Sequence, residues 1–266
     1  MLSSSAMRGT LLAVLLIATF AALPPARPAA ALTPVSVDST QFAVFENEVP
    51  VATERCMYNH MGDSLVVVAT TQRTFVDEQG TRHPLRKSMM LVVDAHDMGL
   101  IRYLSTQDFN GHQIVRGLIP SDTSMAYFIE LDGGGNADQV VQPPGRLFVM
   151  DSQMFSLFDV LSRSLANKTF TTRRVQLLAL QTDSLAAPLA TVTALGADTL
   201  VIGRSKQVVK HYAFEDESAR FEMWSDRQGQ LVRLVHAESG LRVERVAAPA
   251  PRKPPAAKQP SSGAPH

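Results

Sequence analysis

Only one cysteine, Cys56, occurs among the 266 residues, so the chain can form no internal disulfide and its stability has to come from a packed core. A lone thiol of this kind reads as a small buried hydrophobe rather than a reactive group. Net charge is missing too: 25 lysines and arginines balance 25 aspartates and glutamates. That balance argues against nucleic acid, or a strongly acidic surface, as an obligatory partner. Beyond the N-terminus, no apolar run approaches the roughly 20 residues that cross a bilayer as a helix.

Signatures of chemistry are equally sparse. His60, His83, His96, His112, His211, His236 and His266 show no His-x-His or His-x-x-x-His spacing of a metal site. His60 follows Cys56 by four residues but across the next turn, and only His211 and His236, on late strands, could be brought together by folding. There is no Gly-x-Ser-x-Gly nucleophile elbow. The neighbouring carboxylates Glu215, Asp216 and Glu217 read as a solvated turn rather than an acid/base pair. Asp132, Asn136 and Asp138 frame a glycine-rich stretch that fits neither a calcium loop nor a phosphate cradle; it reads as a loose connection. No enzyme is expected, with no catalytic residue, no metal site and no cofactor.

What the chain does carry begins with an export signal. Arg8 supplies a positive start, Leu11 to Phe20 an apolar stretch, Pro24, Pro25 and Pro28 a break, and Ala29-Ala30-Ala31 the small side chains that signal peptidase needs. The expectation is a signal peptide over residues 1–31, cleaved before Leu32, and a periplasmic or secreted product. A β-rich domain is expected over 32–246. From Ala247 to His266 the chain is Pro, Ala, Ser, Lys and Arg without apolar periodicity, which predicts a disordered tail. Its Arg252, Lys253 and Lys258 offer peripheral contact with a membrane or cell wall.

Within the domain, apolar runs alternate with turn residues. Gln41–Asn47, Val51–Tyr58, Ser64–Val76, Leu85–Asp94, Leu100–Phe109, His112–Ile119 and Met125–Leu131 read as strands, with Asn110-Gly111 the strongest hairpin signal. Strands resume at Thr169–Gln181, Leu189–Leu195, Thr199–Gly203, Gln207–Phe214, Arg220–Trp224, Gln230–Glu238 and Leu241–Val246. This spacing predicts a mainly β fold, an antiparallel meander rather than βαβ units. One helix interrupts it: Met154, Phe158, Leu161 and Leu165 recur on one helical face, Asp151 or Ser152 can cap it, and Ser152, Ser156, Asp159 and Arg163 lie opposite.

Several strands do not alternate as a one-sided sheet should. Leu65-Val66-Val67-Val68 and Met89-Met90-Leu91-Val92-Val93 are apolar on both faces. One helix cannot cover both sides, which leaves a sheet folded on itself, a partner, or an apolar ligand in a cavity.

The opening strand Phe42-Ala43-Val44-Phe45-Glu46-Asn47-Glu48, the mid-chain helix, and the closing run Tyr212-Ala213-Phe214, Phe221-Glu222-Met223-Trp224-Ser225-Asp226 and Gly229-Gln230-Leu231-Val232-Arg233 resemble the periplasmic lipoprotein-carrier superfamily of LolA- and LolB-like half-barrels, and uncharacterised exported β-rich families near it. The resemblance covers most of the domain in layout but only the late Trp-x-Asp hairpin in motif. It implies a curved sheet with a helix in or near its concavity, handling acyl chains. The chain departs from it in having one helix where carriers have several, and in its basic tail. Phe158, Leu161, Tyr212, Phe214, Phe221 and Trp224 are the residues expected to line a lipid cavity, although cross-strand packing of aromatics accounts for the late set without a ligand. The expected function is an exported binding protein for a lipid-like or other hydrophobic ligand, as carrier or sensor. The alternative is an envelope structural or interaction protein whose partner is another envelope protein.

Overall fold

The computed structural model of the chain describes residues 37–180, 185–202 and 205–246. The signal peptide over 1–31 and the tail over 247–266 lie outside the described residues. Eight strands form a first antiparallel meander: β1 (Val37–Glu46), β2 (Val49–Met61), β3 (Ser64–Val76), β4 (Arg82–Asp94), β5 (Leu100–Phe109), β6 (His112–Pro120), β7 (Ser124–Leu131) and β8 (Gly134–Val141). The short β9 (Leu147–Asp151) leads into α1 (Ser156–Leu165) and then β10 (Thr172–Leu180). β11 (Leu185–Ala186), β12 (Leu189–Ile202), β13 (Ser205–Glu215), β14 (Arg220–Ser225), β15 (Leu231–His236) and β16 (Leu241–Val246) complete the chain. β1 pairs with both β2 and β16, joining the two halves into one open, curled sheet in the order β11-β10-β12-β13-β14-β15-β16-β1-β2-β3-β4-β5-β6-β7-β8, with β9 on β10.

The turns explain the pairing. Asn110-Gly111 closes β5 on β6 with both residues at positive φ (55° and 82°), the left-handed backbone that two-residue hairpins require. The first turn falls at Asn47-Glu48, also at positive φ, rather than near Pro50. The glycine-rich stretch is not a loose connection: Asp132-Gly133 is a third turn of this kind, at φ 50° and 83°, and Gly134–Val141 returns as β8 along β7. Leu189–Leu195 and residues 199–202 of the expected Thr199–Gly203 run are parts of one strand, β12, which passes through a bulge between Ala194 and Gly196. The meander is also not wholly antiparallel. β9 and β10 pair in parallel, Leu177 beside Phe148, so β9-α1-β10 is a βαβ unit. A helix inserted between two strands of one sheet edge carries the chain back to start the second strand in the same direction.

The curl wraps around α1. Leu157 and Val160 pack into the cluster formed by the inner faces of β2–β7, whereas Phe158, Leu161 and Leu165 pack against β1, β10 and β12–β16. The helix is therefore apolar on two sides, and a fully buried leucine such as Leu161 is worth roughly 1.5–3 kcal/mol. Its expected polar face is not solvated: Ser156 and Asp159 are fully buried and Arg163 is largely covered. Neither Asp151 nor Ser152 caps it. Phe155 occupies the cap position without a side-chain hydrogen bond of its own, and the first amides are satisfied from another strand, as described below.

Asp151, at the end of β9, is buried with Lys87 of β4, whose ammonium donates to its carboxylate and to Ser152 O at 2.8 Å. Tyr103 of β5 donates to the other Asp151 oxygen at 2.6 Å. Removing one member of a buried ion pair strands the other charge, a cost of about 3–5 kcal/mol. Lys87→Met is therefore expected to lower urea-unfolding stability by about that amount, and Lys87→Met/Asp151→Asn to recover most of it. Equal losses in the single and double variants would show that the pair does not anchor the segment between β9 and α1.

Candidate functional site

At the N-terminal end of α1 the curl leaves a cleft of about 420 Å³. One wall is the strap Met150–Phe155 with Phe158 of α1; another is the end of β10, Ala179 and Leu180. The β13–β14 hairpin contributes Phe214, Ser218 and Phe221, and the β15–β16 hairpin Ser239 and Leu241. Glu46 and Arg73 stand at the rim, paired at 2.8 Å. The floor is aromatic. The Phe158 ring lies 5.6 Å from Phe214 at 83° and 5.1 Å from Phe221 at 48°, offset and edge-on geometries that suit ring quadrupoles. His236 stacks behind Phe221 at 4.7 Å.

Of the residues expected to line a cavity, Phe158, Phe214 and Phe221 meet in this cleft. Leu161 and Tyr212 sit in the packed core behind it, Tyr212 stacked on Phe170 at 6.0 Å. Trp224 is on the other side of the sheet. Strand alternation turns Phe221 and Met223 inward and Trp224 outward, where it packs with Leu200, Val209 and Val232 and donates to Asp198 at 2.9 Å. His211 stacks on that outer Trp224 at 4.3 Å, whereas His236 is on the inner, Phe221 side; the two histidines form no shared site. Cys56 is buried, and desolvation pushes its thiol well above the ordinary range.

A polar group that the sequence reading missed sets the position of α1. The Glu54 carboxylate, fully buried on the inner face of β2, accepts from Phe155 N at 2.6 Å and Ser156 N at 3.0 Å. An acceptor at a helix N-terminus satisfies orphan amides and meets the positive end of the dipole. One turn on, Asp159 accepts from Arg163 Nε at 2.6 Å and from the Leu231 amide, and the Arg163 guanidinium lies 4.0 Å over the Tyr58 ring. Burial works against the Arg163 charge, but Asp159, Tyr58 and Asp38 hold its pKa above the usual value. Lys87 is shifted down by desolvation, partly offset by Asp151. A signal for these residues does exist in the sequence. In Leu85-x-Lys87-x-Met89-x-Leu91-x-Val93 the lysine occupies an inward slot of an alternating strand, and Glu54 does the same beside Cys56 and Tyr58.

No protein-family model matches the chain, and no curated protein does. Two solved structures are similar in shape. A β-barrel-like protein of the domain of unknown function DUF1849 from Brucella abortus superposes with a TM-score of 0.52 at 9% identity, covering 79% of this chain and 94% of that one. A DUF1089-family protein from Pseudomonas aeruginosa gives 0.46 at 13% identity, over 71% and 90% of the two chains. The fold is β-barrel-like. The likeness to the Brucella abortus protein extends to the curled β architecture, and no link to lipoprotein carriers is shown.

Desolvation raises the Glu54 pKa from 4.5 to about 7, outweighing the hydrogen bonds from Phe155 and Ser156 that lower it. A carboxyl with a raised native pKa stabilises the fold fully below its ordinary value, and that contribution fades as pH climbs through the native value. Stability should therefore fall between about pH 4.5 and 7, by up to ~3 kcal/mol from this group. Urea midpoints of the wild type and Glu54→Gln between pH 4.5 and 8 check this: the variant should have the flatter profile, whatever its absolute stability. Parallel profiles would mean that Glu54 does not titrate in this window.

Proposed function

We propose that the protein is an exported binding protein, not an enzyme, for a lipid-like or other hydrophobic ligand, acting as a carrier or sensor in the cell envelope. The observation that carries this reading is the cleft beside α1, with Phe158, Phe214 and Phe221 together at its floor. Its volume lies in the range of small-molecule sites, about 300–1,000 Å³. The ligand's apolar part would meet the three rings, Leu180 and Leu241, and its polar end the rim of Glu46, Arg73 and Gln153. The resemblance of the sequence to lipoprotein carriers and the export signal read over residues 1–31 support it. The alternative, an envelope interaction protein without a small ligand, draws its support from apolar side chains on the outer face of the sheet.

Native mass spectrometry of protein purified from its own compartment should reveal a co-purifying apolar molecule. A fluorescent fatty acid should bind the emptied protein. Phe221→Ser removes one ring from the floor and should weaken that binding roughly tenfold, the equivalent of about 1.4 kcal/mol. Trp224→Phe, on the opposite face, should leave it unchanged. An empty protein that takes up no fatty acid would remove the basis for this reading.

A further inference from the structure

The outer face of the first meander carries an apolar row that crosses the strands in register. Met57 stands opposite Val68, Val68 opposite Met90, and Met90 opposite Leu104. Leu104 is opposite Gly117, and Gly117 opposite Phe128. The glycine does not break the row: a Cβ at Gly117 would come within 2.0 Å of the Phe128 ring, which lies over it. A second row follows, with Val66 opposite Val92 and Ile119 opposite Ala126. Strand alternation keeps all these side chains off the inner face, and none belongs to the three buried clusters. Met57 is 46% and Ile119 41% exposed.

Arginines flank the rows; the acids beside them are Asp94, two residues from Val92 and taken up by the His96 and Asp97 amides, and Glu130, two residues from Phe128. Arg55 lies two residues from Met57 on the same face, and Arg102 stands opposite Val92. Beside Met57 and Val68 a shallow trough of about 670 Å³ is bordered by Arg55 and Arg86 and by the neutral Ser39, Gln41, Thr70 and Gln72. Three arginines near the β15–β16 hairpin are matched, Arg233 with Glu244, Arg242 with Glu48 and Arg245 with Asp226. Arg55, Arg86 and Arg102 have no hydrogen bond or ion pair among the described residues. Asp108 faces Arg86 across the strands, but Arg55 and Arg102 have no acid opposite them.

We propose that this outer face docks on an anionic phospholipid membrane, with Arg55, Arg86 and Arg102 at the headgroup phosphates and the Met57-to-Phe128 row at the acyl boundary. The pairing of unmatched positive charge with a strip of apolar side chains is the chemistry of peripheral membrane binding. Curvature selects among occupants. The sheet curls around α1, so this face bulges outward. A second rigid copy presenting the same bulge would touch it along a narrow line, whereas a headgroup layer deforms around it.

The test is co-sedimentation of the exported protein, tail intact, with vesicles of two parts phosphatidylcholine to one part phosphatidylglycerol, against pure phosphatidylcholine. Binding to the anionic vesicles only is expected, weakening with salt. Arg55→Ser/Arg86→Ser should reduce the partition coefficient by roughly fivefold per arginine. Met57→Ser/Met90→Ser should also reduce it, with circular dichroism and melting unchanged in both. Because every variant keeps the basic tail, partition equal to wild type in both would assign the binding to the tail and overturn the proposal. So would a dimer in light scattering that Met57→Ser/Met90→Ser dissociates, with no vesicle binding, since a second copy would then be the occupant. Full displacement by inorganic phosphate, with no effect of Met57→Ser/Met90→Ser, would reduce the face to a free-anion site. If a variant misfolds, Arg55→Lys/Arg86→Lys, which keeps the charge, should restore binding that Arg55→Gln/Arg86→Gln lacks; equal binding by these two overturns the proposal as well.

Discussion

A short helix enclosed by a curled sheet has nowhere to hide its polar ends, and the inner face of this sheet is built to receive them. Glu54 meets the first amides of α1, Lys87 and Tyr103 hold Asp151 on the strap that leads into it, and Asp159 ties its middle to Arg163 and to the β15 backbone. Each of these groups is costly to bury alone and tolerable only when paired and hydrogen-bonded. The helix can occupy the interior because those partners project inward from strands on both sides of it.

The placement of α1 also creates the cleft. Its apolar residues divide the interior, Leu157 and Val160 toward the first meander and Phe158, Leu161 and Leu165 toward the second. The helix covers the middle of the concave surface but stops short of the mouth, where the strap, the end of β10 and two β-hairpins surround open space. Among the described residues the same enclosure leaves the outer face uncovered, so the doubly apolar strands β3 and β4 have one face satisfied by the helix and one without a partner there. The inner cleft and the outer rows are two consequences of one small helix serving a large sheet.

Much of the strand pattern was legible. Asn110-Gly111 needs a left-handed backbone at two consecutive residues, and few other sequences supply it. The same reasoning applies to Asp132-Gly133, but the following Gly134-Gly135 has little strand propensity, so β8 has the local pattern of a loose connection. The polar face assigned to α1 failed for a different reason. Periodicity reports which residues share a side of a helix, not whether that side meets water, and here Ser156 and Asp159 meet the sheet. Of the six residues expected to surround a cavity, three converge on the cleft because β13 and β14 pair Phe214 with Phe221, while alternation carries Trp224 outward.

The amino-acid sequence by itself determined the local features: strands separated by turns, one helix and its apolar stripe, a core without disulfides, and more apolar strand surface than one helix can cover. These depend on neighbours a few residues apart, where backbone preference and side-chain period act directly. The parallel pairing of β9 with β10, the carboxylate that holds α1 and the cleft beside it were decided only in three dimensions. Glu54 and Phe155 are separated by 101 residues, and no local period relates a charge in one strand to the helix end it will satisfy. That match arises only when the whole sheet has curled and water has left the space between them.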